Sequence, residues 1–205
     1  MFRVLTIARE YGSGGAAIGG SISERLGWKL LDKAFIETIA HIAKVDPQLA
    51  RRCDERTDSW VERLGRQWPW QAALEGIAVV TPPPFFDAET MAALAKNMIE
   101  EAYQRGDCVI VGRGAQCVLQ DREDAFHAFI YAPWPERIAR IRQRMTGHSD
   151  IEALIRSIDR QRADYIRTYF RCHWMDPHLY HLMISSGLGE DQVESTIIEA
   201  LASGG

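Results

Sequence analysis

The first apolar run, Phe2 to Ala8, mixes β-branched and aliphatic residues and stops at Arg9-Glu10 and a cluster of glycines, the pattern of a buried strand. Ile18, Ile22 and Leu26 then recur at four-residue spacing with Gly27 behind them, which predicts a helix that ends at that glycine. Trp28 to Leu31 reads as a short second strand closed by Asp32, and Ala34 to Ala43 as a further helix. From about Val45 to Asp87 the rhythm breaks. Trp60, Trp68 and Trp70, the charged segment Arg51 to Asp58 and the run Pro82-Pro83-Pro84 fit no core strand, because proline cannot donate to a sheet ladder. That stretch reads as helices and irregular chain inserted along one edge of the domain.

Regular order then resumes. Ala88 to Arg105 carries Met91, Leu94, Ala95, Met98 and Ile99 on one helical side ahead of Gly106. Cys108 to Val111 is a fully apolar strand running into Gly112-Arg113-Gly114, and Ala125 to Ala132 and Leu179 to Ile184 read as two more strands. Between those last two lie Arg-rich helices at about Pro135 to Met145 and Ile151 to Phe170, and a final helix covers about Asp191 to Leu201. Five strands alternating with helices predict an α/β fold with a parallel sheet flanked by helices on both faces.

The strand-to-helix junction carries the first chemistry. A strand that ends in a glycine-rich turn and runs straight into a helix aims backbone N–H groups at a positive helix terminus, and Gly12-Ser13-Gly14-Gly15 occupies that junction. Glycine lets backbone approach phosphate oxygens closely. The full pattern G-x-x-x-x-G-K-[ST] is absent: the positions of the lysine and the hydroxyl are held by Gly15 and Ala17. A plain flexible turn has the same composition.

Composition narrows the setting. With 205 residues, 46% of them hydrophobic, the chain supports one substantial core, so a single domain with an insertion is expected. A net charge of -4 gives no global attraction to nucleic acid. Lys29, Lys33, Lys44 and Lys96 are the only lysines among 24 basic residues, and the rest are arginines. Their planar forks match phosphate oxygens in pairs, although codon bias produces the same excess. Cys53, Cys108, Cys117 and Cys172 form no C-x-x-C pair, which suits reduced thiols in a cytoplasmic protein. No apolar run reaches membrane-spanning length, so no membrane partner is expected. Cys172 with His173, His178 and His181 lacks a second ligand pair at helix or knuckle spacing, so no metal site is assigned there.

Several blocks are more specific than these patterns. They are Arg9-Glu10-Tyr11-Gly12-Ser13-Gly14-Gly15, Leu26-Gly27-Trp28, Leu31-Asp32-Lys33, Val109-Ile110-Val111-Gly112-Arg113-Gly114-Ala115 and Asp159-Arg160-Gln161-Arg162-Ala163-Asp164-Tyr165, followed by His173-Trp174 and Leu179-Tyr180. Together they resemble the cytidylate-kinase-like family, a branch of the P-loop nucleotide kinases, over nearly the whole chain. The resemblance implies a P-loop nucleoside-monophosphate kinase fold, ATP and Mg²⁺ as cofactors, and small nucleotides as substrates, with CMP or dCMP as acceptor. Cytidylate kinases carry the loop lysine that Gly15 replaces here and an aspartate where this chain has Val111. Relatives without that lysine often have a basic residue where Ala16 stands.

Candidate residues follow. Gly12, Ser13, Gly14 and Gly15 would cradle the donor phosphates. Arg137, Arg140 and Arg144 fall at i, i+3 and i+7, one helical stripe suited to a triphosphate, with Ile138, Ile141 and Met145 on another face. Arg156, Arg160, Arg162 and Arg167 lie on the next helix, and the resemblance makes this helix pair a lid over ATP. Arg113 ends an apolar strand, where ligands of open α/β sheets bind, and by resemblance it would hold the acceptor phosphate. Asp32 either orients the acceptor or a metal-bound water, or caps a helix. Lys33 is expected to replace the loop lysine in part. The expected function is ATP-dependent phosphoryl transfer. The alternatives are nucleotide binding without turnover, and an interaction module acting through the tryptophan-rich insertion.

Overall fold

In the computed structural model, five strands pair in parallel in the order β2-β3-β1-β4-β5, where β1 is Val4–Arg9, β2 Lys29–Leu31, β3 Cys108–Val111, β4 Ala125–Tyr131 and β5 Leu182–Ser185. The structure describes residues 1–32, 88–145 and 150–204. The expected helix at Ala34 to Ala43, the tryptophan-rich stretch and Lys33 lie outside the described residues. The chain divides into two units, Met1–Asp32 with Ala95–Gly205, and Lys33–Leu94. The sheet belongs to the first.

Among the described residues the α-helices are α1 (Gly15–Leu26), α2 (Ala88–Arg105), α3 (Ala115–Val118), α4 (Trp134–Arg144), α5 (Ile151–Phe170) and α6 (Glu190–Ser203). Gly27 ends α1 in the left-handed conformation and its N–H bonds back into the last turn, the stop that its sequence position predicts. Strand alternation sorts the core into two layers. Leu5 and Ile7 of β1, with Phe126, Ala128 and Ile130 of β4, bury against Ile18 and Ile22 of α1 and Val193 and Ile197 of α6. Ala8 and Phe129 belong to a second cluster with Ile166, Trp174 and Tyr180. Gly19 lets α1 approach closely, since a methyl there would stand 2.9 Å from Val111 and 3.2 Å from Ile7.

A third cluster joins α4 to α5 through Ile141, Ile151, Ile155 and Ile158, and it also takes in Tyr11 from the glycine-rich loop. The helix pair is therefore packed onto the loop itself. The last strand begins later than its apolar run suggests. Pro177–Leu179 forms a 3-10 turn, and the buried Tyr180 donates its hydroxyl to the Trp174 carbonyl at 2.6 Å before β5 starts at Leu182.

Candidate functional site

β1 delivers the chain to the loop between β3 and β4, register-paired with Val111 through Ile7 and with Ile130 through Arg9. Beyond Arg9 the backbone turns away from the sheet, and α5 and α4 take over its hydrogen bonds. The Tyr11 N–H donates to Asp159 Oδ1 at 2.8 Å, and the Tyr11 carbonyl accepts from Arg137 Nε at 2.7 Å. Gly12 and Gly14 then take φ of 82° and 81°, a region costly for residues with a Cβ, and α1 begins at Gly15. Ser13 is fully buried and its Oγ accepts from the Gly15 N–H at 3.4 Å. The Gly15 N–H is taken by Ser13 and those of Ala16 and Ala17 have no intrahelical acceptor, so this terminus presents donors and positive dipole together. A helix terminus of this kind favours an anion.

The expected arginine stripe is divided by its surroundings. Arg137 is buried, with its guanidinium held by the Glu10 carboxylate at 3.2 Å, by Asp159 and by the Tyr11 carbonyl, and stacked over Trp134. Burial pushes the Glu10 carboxyl above its ordinary range, against the pull of the Ala132 N–H and Arg137. Arg140 reaches the loop directly, donating to the Gly12 carbonyl and to Ser186 Oγ, each at 3.2 Å. Arg162 donates to the Arg9 carbonyl at 2.8 Å and lies over the Tyr11 ring. Arg144 and Arg160 are exposed on their helices.

At the end of β3, Gly112, Arg113 and Gly114 are left-handed in succession, with φ of 83°, 64° and 75°. A non-glycine residue there carries strain of about 1–3 kcal/mol, which the surroundings must hold in place. They do so sterically. A methyl on Gly114 would stand 2.5 Å from the Phe170 ring, and one on Gly112 would run into the Arg9 guanidinium. Leu31 pairs with Ile110, so Asp32 follows β2 at the same sheet end as the Arg113 turn. The fold thus brings the glycine loop, Arg113 and Asp32 to the carboxyl ends of neighbouring strands.

Residue spacing alone did not single out Glu10, Asp159 or Arg9. Each stands inside a motif block quoted for the resemblance, and that was the signal available. The backbone N–H groups that open α1 suit the phosphates of ATP, while the glycines are required by packing: a Cβ on Gly12 would stand 3.0 Å from the Arg137 carbonyl, and one on Gly14 3.1 Å from the Glu190 carboxylate. The site fits Mg²⁺ poorly: with Gly14 as the second glycine of the pattern and Gly15 in the lysine position, the hydroxyl position falls on Ala16, one residue before the Ala17 expected, the strand-end carboxylate position holds Val111, and among the described residues no three His, Cys, Asp or Glu side chains converge.

The sequence profile of the cytidylate kinase-like family matches residues 4–188. The chain belongs to the cytidylate kinase-like family. No curated protein matches it in sequence. Among solved structures, this family member is similar to an uncharacterized protein from Eubacterium ventriosum at 20% identity and a TM-score of 0.67, over 98% of both chains. A gluconokinase from Sinorhizobium meliloti aligns at 14% identity and 0.57, over 97% of this chain and 91% of the other. A shikimate kinase from Bacteroides thetaiotaomicron aligns at 14% and 0.56, over 97% and 98%. At these identities the likeness is one of fold, and the P-loop kinase architecture expected from sequence is the one observed. No described helix is long and apolar enough to cross a membrane.

Proposed function

We propose that this family member transfers the γ-phosphoryl group of ATP to a small phosphorylated acceptor, CMP or dCMP first among them. The observation that carries the proposal is the left-handed glycine loop opening α1 beside the strained Arg113 turn. Two phosphate-sized recognition features then share one sheet end, as a donor–acceptor pair requires. In the transfer, an acceptor phosphate oxygen attacks the γ-phosphorus, the bond from that phosphorus to the β–γ bridging oxygen breaks, and ADP leaves with the electron pair. CDP forms from CMP, and a dianionic acceptor loses no proton.

The chain's own groups would do the following. Gly12 to Gly15 and the α1 N–H groups hold the donor phosphates, and Arg113 holds the acceptor phosphate. Asp32 orients the acceptor, with Lys33 beside it in sequence. Arg140, Arg144, Arg160 and Arg162 neutralise charge from the helix side, and Arg137 fixes the loop that the others serve. Mg²⁺ would come with the nucleotide, held by phosphates and water. A cytoplasmic setting, where ATP and nucleoside monophosphates occur together, belongs to the same proposal.

A coupled assay with Mg-ATP over a nucleoside-monophosphate panel, with gluconate and shikimate as comparison acceptors, tests it. Turnover with CMP or dCMP is expected, and no turnover with any acceptor rejects transfer. A second possibility has a specific observation in its favour, namely Gly15 and Ala16 in the lysine and hydroxyl positions. On that possibility the protein binds nucleotide without turning it over. Stabilisation by ATP with a blank assay would select it.

A further inference from the structure

The seven-residue phosphate-loop pattern G-x-x-x-x-G-K begins with glycine and ends with lysine. Laid on this chain with Gly14 as its second glycine, the pattern puts Arg9 in the first-glycine position and Gly15 in the lysine position. The basic residue and the glycine have changed places. The coordinates give a reason: a Cβ on Gly15 would stand 2.7 Å from Arg9 Cβ and 3.1 Å from its Cγ, closer than side-chain carbons approach. A lysine at position 15 and an arginine at position 9 therefore exclude one another.

The Arg9 side chain starts beside the first residue of α1. Its guanidinium ends against Gly112, immediately before Arg113, in the space that a Gly112 side chain would need. Arg9 is the last residue of β1, and its backbone is fixed by pairing with Ile130 and by Arg162 on its carbonyl. The side chain therefore runs from the first residue of α1 to the turn after β3, with its stem set by strand geometry and its guanidinium beside Gly112.

We infer that Arg9 supplies, from the opposite end of the loop, the positive charge that the lysine of the ordinary pattern supplies. The inference rests on the site being a phosphate site, as proposed above. The guanidinium bridges the group between donor and acceptor, and its planar fork contacts two phosphate oxygens where an ammonium contacts as a point charge.

The test compares wild-type protein with Arg9→Gln, Arg9→Lys and the exchange Arg9→Gly/Gly15→Lys. Each is titrated calorimetrically with inorganic tripolyphosphate and with Mg-ATP, and each is assayed on the acceptor panel. Arg9→Gln keeps most of the stem against Gly15 and removes the charge. It is expected to weaken tripolyphosphate binding at least tenfold and to lower turnover roughly a hundredfold. The exchange variant, with charge back in the lysine position, is expected to regain binding. Arg9→Gln that binds tripolyphosphate like wild type overturns the inference. Should Arg9→Gln fail to fold, a folded exchange variant that does not bind tripolyphosphate overturns it as well.

Failure of this inference and failure of the kinase proposal look different. Arg9-dependent binding without transfer to any acceptor upholds Arg9 and rejects the kinase proposal. Transfer that survives Arg9→Gln rejects Arg9 and upholds the kinase proposal, and wild-type protein that binds neither ligand rejects both.

Discussion

His127 shows what a single buried titratable side chain does to this fold. Its ring lies between Thr6 Oγ1 at 2.7 Å on Nδ1 and the Leu119 carbonyl at 3.2 Å on Nε2, so the neutral ring donates from Nε2 and accepts on Nδ1. Desolvation first, and the neighbouring His181 second, push it down to about 4 from an ordinary 6.5. A depressed folded value means that the native state holds the neutral form. The stability it contributes is present above pH 6.5 and is lost as pH falls through 6.5 toward about 4. The full loss is on the order of 3 kcal/mol. Urea unfolding from pH 7 to 4 should show this slope, and non-titrating His127→Gln should flatten it. The Arg113 turn makes a second residue-scale prediction. Gly114→Ala forces a Cβ onto a left-handed backbone and into Phe170, so it should cost at least about 1–2 kcal/mol and reduce acceptor affinity, read by unfolding and by KM.

At the scale of elements, Arg137 is the buried arginine among the contacts that join α4 and α5 to the loop. Removing Arg137 takes an ion-pair partner from both Glu10 and Asp159 and leaves the Tyr11 carbonyl without the Arg137 donor. Arg137→Met is expected to destabilise the protein by about 3–5 kcal/mol. Arg144→Ala, on the exposed side of the same helix, should change stability by less than about 0.5 kcal/mol. If Arg144 meets the triphosphate, the loss appears in kcat/KM alone. These two arginines have the same helical periodicity in the sequence, and only their partners separate them. Asp159 lies 22 residues from Arg137, and Tyr11 lies 126 residues away, distances no local pattern reveals. What periodicity does carry, the sequence shows closely: the helices at 88–105 and 151–170 and the strand at 108–111 have the predicted bounds. The final strand starts later than its apolar run predicts because Leu179 and Tyr180 are apolar for a different reason, packing a turn against Phe129 and Trp174. The glycine loop was legible because its residues are contiguous. The reach of Arg9 to Gly112 is not legible in the sequence, because it depends on β1 and β3 being neighbours.

Adjacency across the whole sheet also sets how the molecule should respond to the donor and acceptor proposed for it. With β1 next to β3 and β3 next to β2, the donor cradle and the Arg113 turn lie on separate strands of one rigid sheet, and neither exists in the unfolded chain. A ligand that binds only the folded state stabilises it by about 2.7 kcal/mol at a hundred times its Kd, which for a chain of this size raises Tm by roughly 5–10 °C. Mg-ATP and CMP should each produce such a rise, measured by thermal unfolding. The variants should then cross over: Arg9→Gln should lose most of the shift with ATP and keep that with CMP, while Arg113→Ala should do the reverse. Crossed losses require two phosphate sites with separate cations. If both variants lose both shifts alike, one shared anion site occupies the sheet end, and a donor and an acceptor cannot be held there side by side.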